Sequence, residues 1–201
     1  AGPFVVIRTR VGSPFVIAAM QDAAKRGSRA IIGFEANGGT LTGSFFEVAS
    51  GRLPPLPTRD SFLPTLAALA LRAKHQIPVS RLAAAYNLGF TASDRIENFP
   101  TELSTKLMGH LRKSEKNVRD FIAPIGRVAT ISDIDGLRVS LVDGKIIHFR
   151  ASGNAPEMRC YVEADNEIAA AEMLVEGLSL IRRWSEIQGM DIEGRARVDG
   201  V

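Results

Sequence analysis

The spacing of apolar positions changes period several times along the chain. Phe4-Val5-Val6-Ile7 is a continuous apolar run of buried-strand length. Ser13 can cap a helix and Pro14 suits its first turn, so a helix is predicted over 15–25, stopped by Gly27. Ala30-Ile31-Ile32-Gly33-Phe34 is a second short apolar run. Strand, helix and strand in that order predict an α/β unit with a parallel strand pair. A turn cluster at 35–39, a strand-like stretch at 40–48 and a Pro-rich loop at 53–57 follow. Asp60-Ser61 offers a cap for a helix whose Phe62, Leu66, Leu69 and Ala73 keep helical spacing to His75. A shorter helix is predicted over 79–86, begun by Pro78.

From about residue 87 the pattern differs. A strand is predicted over 90–96 and a helix over 101–112, where Leu103, Leu107 and Leu111 fall at i, i+4 and i+8. Residues 118–122 add another turn. Strands over 127–133, 137–142 and 145–150 are separated by Asp135-Gly136 and Asp143-Gly144, both hairpin signals because glycine readily takes positive φ. A fourth strand over 159–164 precedes a long helix over about 166–188, with Ile168, Ala171, Val175, Leu178 and Ile181 on one face. The predicted fold is a partial α/β domain (strand-helix-strand) over 1–86. An α+β domain over 87–201 follows it, with an antiparallel sheet packed on helices.

Composition narrows the class without deciding it. Of 201 residues, 45% are hydrophobic and 23% charged, which is ordinary for a soluble globular protein. No apolar run approaches the roughly 18–20 residues of a membrane span. The net charge of +3 comes from scattered Lys and Arg rather than a clustered basic face, so no nucleic-acid partner is expected. A locally basic pocket for an anionic small molecule fits the same balance. Cys160 is the single cysteine, which excludes an internal disulfide and suits a reducing, cytoplasmic setting. Its strand-like surroundings suit a buried thiol better than a nucleophile. Ala1-Gly2-Pro3 opens no secretory leader.

Two loops can carry chemistry. Phe149-Arg150-Ala151-Ser152-Gly153-Asn154-Ala155-Pro156 joins two predicted strands and gathers a guanidinium, a hydroxyl, a glycine and a carboxamide. Arg150 is a permanently charged bidentate donor, Ser152 and Asn154 add neutral donors, and backbone N–H groups around Gly153 can form an anion nest. That is the chemistry of a phosphate clamp. It equally suits a polar strand connection in which Asn154 supports the turn and Arg150 makes a surface ion pair. Gly33-Phe34-Glu35-Ala36-Asn37-Gly38-Gly39 follows a predicted strand, where ligands of α/β sheets bind. Glu35 and Asn37 can reach sugar hydroxyls, or the segment is an ordinary turn with Glu35 solvated. His75, His110 and His148 are isolated, without zinc-ligand spacing. There is no GxGxxG, GxxxxGKS or GxSxG. Asp133 and Asp135 read most simply as turn formers.

Three ordered motifs resemble the α-D-phosphohexomutase superfamily, and within it the phosphomannomutase/phosphoglucomutase group. Arg8-Thr9-Arg10-Val11-Gly12-Ser13 looks like the T-x-V-G-type loop of the third domain. Residues 33–39 look like the sugar-specificity loop, commonly G-E-x-S-G-H. Residues 149–156 look like the R-P-S-G-T-E-P phosphate loop of the fourth domain. The resemblance implies an enzyme that moves a phosphoryl group between the 1- and 6-hydroxyls of a hexose, through a phosphoserine, Mg²⁺ and a bisphosphate intermediate. It implies that Glu35 and Asn37 hydrogen-bond the sugar and that Arg150, Ser152, Gly153 and Asn154 hold the non-reacting phosphate. Asn37 stands where many relatives have Ser, Gly39 where many have His, and Asn154 replaces the usual Thr; Ser13 receives no role.

Neither the T-x-S-H-N-P-type serine loop nor the D-G-D-x-D-R-type metal loop occurs. No catalytic residue and no metal ligand is therefore assigned in this chain, and Mg²⁺ is expected only of a full-length enzyme. The expected partners are a hexose phosphate and N-terminal domains of the same enzyme, with no membrane. The chain is expected to be the C-terminal part of such an enzyme, inactive alone; the alternative is a stand-alone, non-catalytic phosphosugar-binding module.

Overall fold

Helix α1 (Ser13–Lys25) is the first element of the computed structural model, which describes residues 4–35, 38–48, 51–82, 86 and 88–189. Gly12 precedes α1 with φ +127°, and Pro14 occupies its first turn as predicted. Val16, Met20 and Ala23 form its buried stripe. The stripe lies on β1 (Ile32–Phe34) at Gly33, where an added Cβ would fall 2.5 Å from both Val16 Cγ1 and Met20 Sδ. Only glycine admits that approach of helix to strand. β1 pairs antiparallel with β2 (Thr40–Thr42), which pairs antiparallel with β5 (Leu56–Asp60). Pro57 is accommodated because β5 is an edge strand of this sheet. A separate two-stranded ribbon is formed by β3 (Phe46–Val48) and β4 (Gly51–Leu53). The predicted strand over 40–48 is thus two strands with different partners. Helix α2 (Phe62–His75) follows, its first turn capped by Asp60, whose Oδ1 accepts from Leu63 N–H at 2.6 Å. A single 3₁₀ turn at Val79–Arg81 stands where the shorter helix was predicted; residues 83–85 of that prediction lie outside the described residues.

One expectation fails in this unit. Phe4-Val5-Val6-Ile7 is no strand, and these residues are 52–89% exposed. A continuous apolar run becomes a buried strand only with a sheet neighbour and cover on both faces. No described strand pairs with it, so the predicted parallel pair does not form.

The second half matches its predicted class closely. β6 (Phe90–Ile96), β10 (Met158–Ala164), β9 (Ile146–Ala151), β8 (Leu137–Leu141) and β7 (Val128–Ser132) build one antiparallel sheet in that spatial order. Gly136 and Gly144 take positive φ, +73° and +90°, at the two Asp-Gly hairpin turns. Helices α3 (Thr101–Lys113), α4 (Glu115–Ile122) and α5 (Glu167–Ile187) contribute to one core with the sheet. Alternation along β8, β9 and β10 sends Leu137, Val139, Ile147, Phe149, Cys160 and Val162 into that core. The core-facing stripe of α3 is Leu103, Leu107 and Leu111, as the spacing predicts. That of α5 is met only in its second half: Leu178 and Ile181 are buried as the spacing predicts, but Ile168, Ala171 and Val175 are exposed, and Ala170, Met173 and Gly177 are buried instead. The helix turns its small residues to the sheet and approaches it closely at Gly177.

The chain divides into two compact units, Ala1–Leu88 and Gly89–Val201. Among the described residues, no helix is long and apolar enough to cross a membrane.

Candidate functional site

In the first unit the turn between β1 and β2 is closed by backbone bonds. Glu35 N–H donates to Gly39 O at 2.9 Å and Gly38 N–H to Glu35 O at 3.0 Å. Gly38 takes φ +86°, which this turn requires. The Ser13 hydroxyl, at the start of α1, donates to Glu35 Oε1 at 2.6 Å. Ser13 was expected to cap α1; its side chain makes no cap and instead orients the Glu35 carboxylate. The tight seating of α1 on Gly33 brings the two side chains together. Ser13 received no role from its sequence context because its partner lies 22 positions away. Ala36 and Asn37 lie outside the described residues.

In the second unit the loop between β9 and β10 holds the other expected residues. Ser152 N–H donates to Glu157 O at 2.9 Å, and Glu157 N–H to Ala155 O at 2.8 Å. Phe99 N–H donates to Pro156 O at 2.8 Å, tying the loop to the segment after β6. The Ser152 Oγ accepts from Asn154 N–H and Ala155 N–H at 3.4 and 3.3 Å. A hydroxyl that accepts twice keeps its own O–H as a donor. Gly153 does not take positive φ, and a Cβ there would meet nothing within 4 Å. The loop therefore contains no left-handed nest at Gly153, and Gly153 and Asn154 form its exposed tip.

Arg150 is anchored from outside the loop. Its Nε lies 2.9 Å from Asp135 Oδ2, and both side chains are 22% exposed. From sequence, Asp135 reads as a turn former. Its backbone does form the β7–β8 turn, and its carboxylate pairs with Arg150. The Asp135 carbonyl accepts from His148 Nε2 at 2.5 Å, which places the imidazole proton on Nε2. Burial pushes the His148 pKa below its ordinary value, against the pull of the Asp135 carbonyl and carboxylate, with Arg138 and Arg150 also lowering it.

The helix-free face of the sheet carries a row of arginines, each paired with a carboxylate. Arg150 on β9, Arg159 on β10 and Arg95 on β6 are cross-strand partners in one row. Glu157 sits between two of them, with Oε2 3.0 Å from Arg159 Nη2 and Oε1 3.3 Å from Arg95 Nε. Cys160, in contrast, faces the core, and burial pushes its thiol pKa up to about 12. No three His, Cys, Asp or Glu side chains come together as a metal site among the described residues. The described residues do not fit a Mg²⁺ centre.

Residues 3–88 match the family model for the phosphoglucomutase/phosphomannomutase alpha/beta/alpha domain III, and residues 103–179 match that for the phosphoglucomutase/phosphomannomutase C-terminal domain. This chain belongs to the α-D-phosphohexomutase superfamily. It is 49% identical over 176 residues to a phosphomannomutase of Sinorhizobium fredii, an alignment covering 88% of this chain and 37% of that protein. It is 36% identical over 178 residues to a phosphomannomutase of Salmonella muenchen, again over 88% of this chain and 37% of the relative. A phosphoglucosamine mutase of Methanococcus aeolicus is 35% identical over 83 residues, 41% of this chain and 16% of that protein. A crystal structure of a phosphoglucomutase/phosphomannomutase family protein from Burkholderia thailandensis superposes with a TM-score of 0.57. It is 18% identical, covers 94% of this chain and 33% of its own, and supports the fold. The chain spans 37% of the length of the two phosphomannomutases it matches.

Proposed function

We propose that this chain is the sugar- and phosphate-recognition part of a phosphohexomutase of the phosphomannomutase/phosphoglucomutase type, which interconverts hexose 1-phosphate and hexose 6-phosphate. Residues 1–86 are part of the third domain and residues 87–201 are the fourth. Glu35 and Asn37 hydrogen-bond the sugar hydroxyls. Arg150, Ser152, Gly153 and Asn154 hold the phosphate that is not reacting. The phosphoserine and Mg²⁺ of the cytoplasmic full-length enzyme belong to segments other than these 201 residues, and the chain alone does not turn substrate over.

The observation that supports this reading is that Arg150, Ser152, Gly153 and Asn154 lie together at the β9–β10 connection, within the matched C-terminal domain. A phosphate carries two negative charges or nearly so, and a partly buried guanidinium complements it as a planar fork. Fixing a remote phosphate places the reacting end of the sugar, so its binding energy serves the chemistry elsewhere. Ser13 has the corresponding duty for the sugar, because its 2.6 Å bond fixes the carboxylate of Glu35.

The test uses a longer protein carrying this sequence together with a serine loop and an Asp-rich loop. Mannose 1-phosphate and glucose 1-phosphate are assayed side by side. Arg150→Ala should lower kcat/KM by about 30-fold or more, since truncating one partner of a desolvated charge pair costs roughly 2–5 kcal/mol. An unchanged kcat/KM contradicts the clamp. Turnover by the 201 residues alone contradicts the division of labour.

A further inference from the structure

We propose that Asp135 is a positioning residue for the phosphate clamp: from the β7–β8 turn it holds Arg150 by Nε and leaves the guanidinium's end edge to the anion. The inference rests on the assignment of Arg150 to phosphate. An acid on Nε occupies the side of the planar fork, and the edge carrying both Nη groups is the one suited to two phosphate oxygens.

Three contacts make the Asp135 turn a rigid post. His148 Nε2 donates to the Asp135 carbonyl at 2.5 Å. Arg112 Nη2, reaching over from α3, donates to the Gly136 carbonyl at 3.1 Å. Gly136 itself lies against β9: a Cβ there would overlap the Phe149 carbonyl oxygen and come within 3.1 Å of Arg150 Cα. Phe149 is fully buried and meets Phe121 edge-on with ring centroids 5.6 Å apart, so the strand under Arg150 is fixed as well.

The need for a post follows from the charges around it. Arg159 stands directly opposite Arg150 in the β9–β10 register, and like charges opposite one another repel. Glu157 serves Arg159 and Arg95, through different carboxylate oxygens. Asp135 is the acid that pairs with Arg150. Without it, a long side chain with large rotamer freedom would be ordered only when the anion arrives. That ordering weakens binding by roughly 2- to 12-fold per such side chain.

A carboxylate beside an anion site also repels the anion, and Asp135→Asn separates the two effects. The amide oxygen still accepts from Arg150 Nε–H, and the charge is gone. Asp135→Ala removes both. The 201-residue chain, labelled with ¹⁵N, is titrated with inorganic phosphate while the Arg150 Nε–H signal is followed, with Arg150→Ala as control. The expected result is phosphate binding several-fold weaker in Asp135→Ala than in Asp135→Asn. The slowly exchanging Arg150 Nε–H signal should be kept in wild type and Asp135→Asn and lost in Asp135→Ala. Binding by Asp135→Ala as tight as by Asp135→Asn, or tighter, overturns the positioning role and leaves Asp135 a mere counter-ion. No saturable phosphate binding by wild type, or unchanged binding by Arg150→Ala, overturns the clamp itself, a failure distinct from the first.

Discussion

Gly177 is the point at which the long helix comes closest to the sheet that carries the phosphate loop, and Gly177→Ala tests that packing directly. An added Cβ would lie 2.8 Å from Ile147 Cδ1 and 2.9 Å from Cys160 Sγ. Carbon contacts are ordinarily about 3.5–4.0 Å, so both neighbours would have to move by most of an ångström. Both side chains are fully buried among core residues, so moving either disturbs the packing around it. Alanine gains about 1 kcal/mol of helix propensity over glycine, while overpacking a tight core costs about 1–3 kcal/mol. The net expectation is a loss of about 1 kcal/mol. Trp184 is the single tryptophan and packs on the same core, so urea unfolding followed by its fluorescence reports this unit. Ile147→Val deletes the clashing Cδ1 and alone costs about 0.5–1.5 kcal/mol. In the double variant the losses should sum to less than their total by about 0.5 kcal/mol or more. A more stable Gly177→Ala, or strictly additive losses, would refute the steric argument.

Two further outcomes follow from titratable groups. His148 has a folded-state pKa below its ordinary value of about 6.5, so between the two values the unfolded chain binds the extra proton. Its neutral form therefore contributes stability that is present above about pH 6.5 and is lost as pH falls towards the folded pKa. Wild type should lose more stability than His148→Gln between about pH 7.5 and about pH 5.5, and parallel curves in urea unfolding would refute this. Cys160, with its thiol pKa pushed up to about 12 by burial, should resist alkylation at neutral pH until the second unit unfolds. Rapid labelling of the folded chain, measured by mass spectrometry, would contradict the placement.

The second unit was legible from sequence because its signals are local. Asp135-Gly136 and Asp143-Gly144 mark turns that take positive φ, and β8 between them alternates strictly. Two elements misled for physical reasons. In α5 the spacing places Leu178 and Ile181 correctly but not Ile168 and Val175, because the buried positions of the first half include the small Ala170 and Gly177. Phe4-Val5-Val6-Ile7 has the composition of a buried strand, but burial needs neighbours that a run of residues cannot itself supply. Arg150, Ser152, Gly153 and Asn154 share one loop, so sequence alone proposes them together. Ser13 and Asp135 were not found, because each acts on a partner that only the tertiary fold brings near. Asn37 rests on the sequence pattern alone.

In the proposed function, Arg150, Ser152, Gly153 and Asn154 bind the phosphate of a hexose phosphate. The most direct test is a titration of the ¹⁵N-labelled chain with a hexose 6-phosphate, with the unphosphorylated hexose as the control. Binding at the clamp should shift the amide signals of Ser152, Gly153 and Asn154 saturably with the phosphorylated sugar and leave them unmoved by the free one. Equal responses to both sugars, or shifts confined to other parts of the chain, would contradict it.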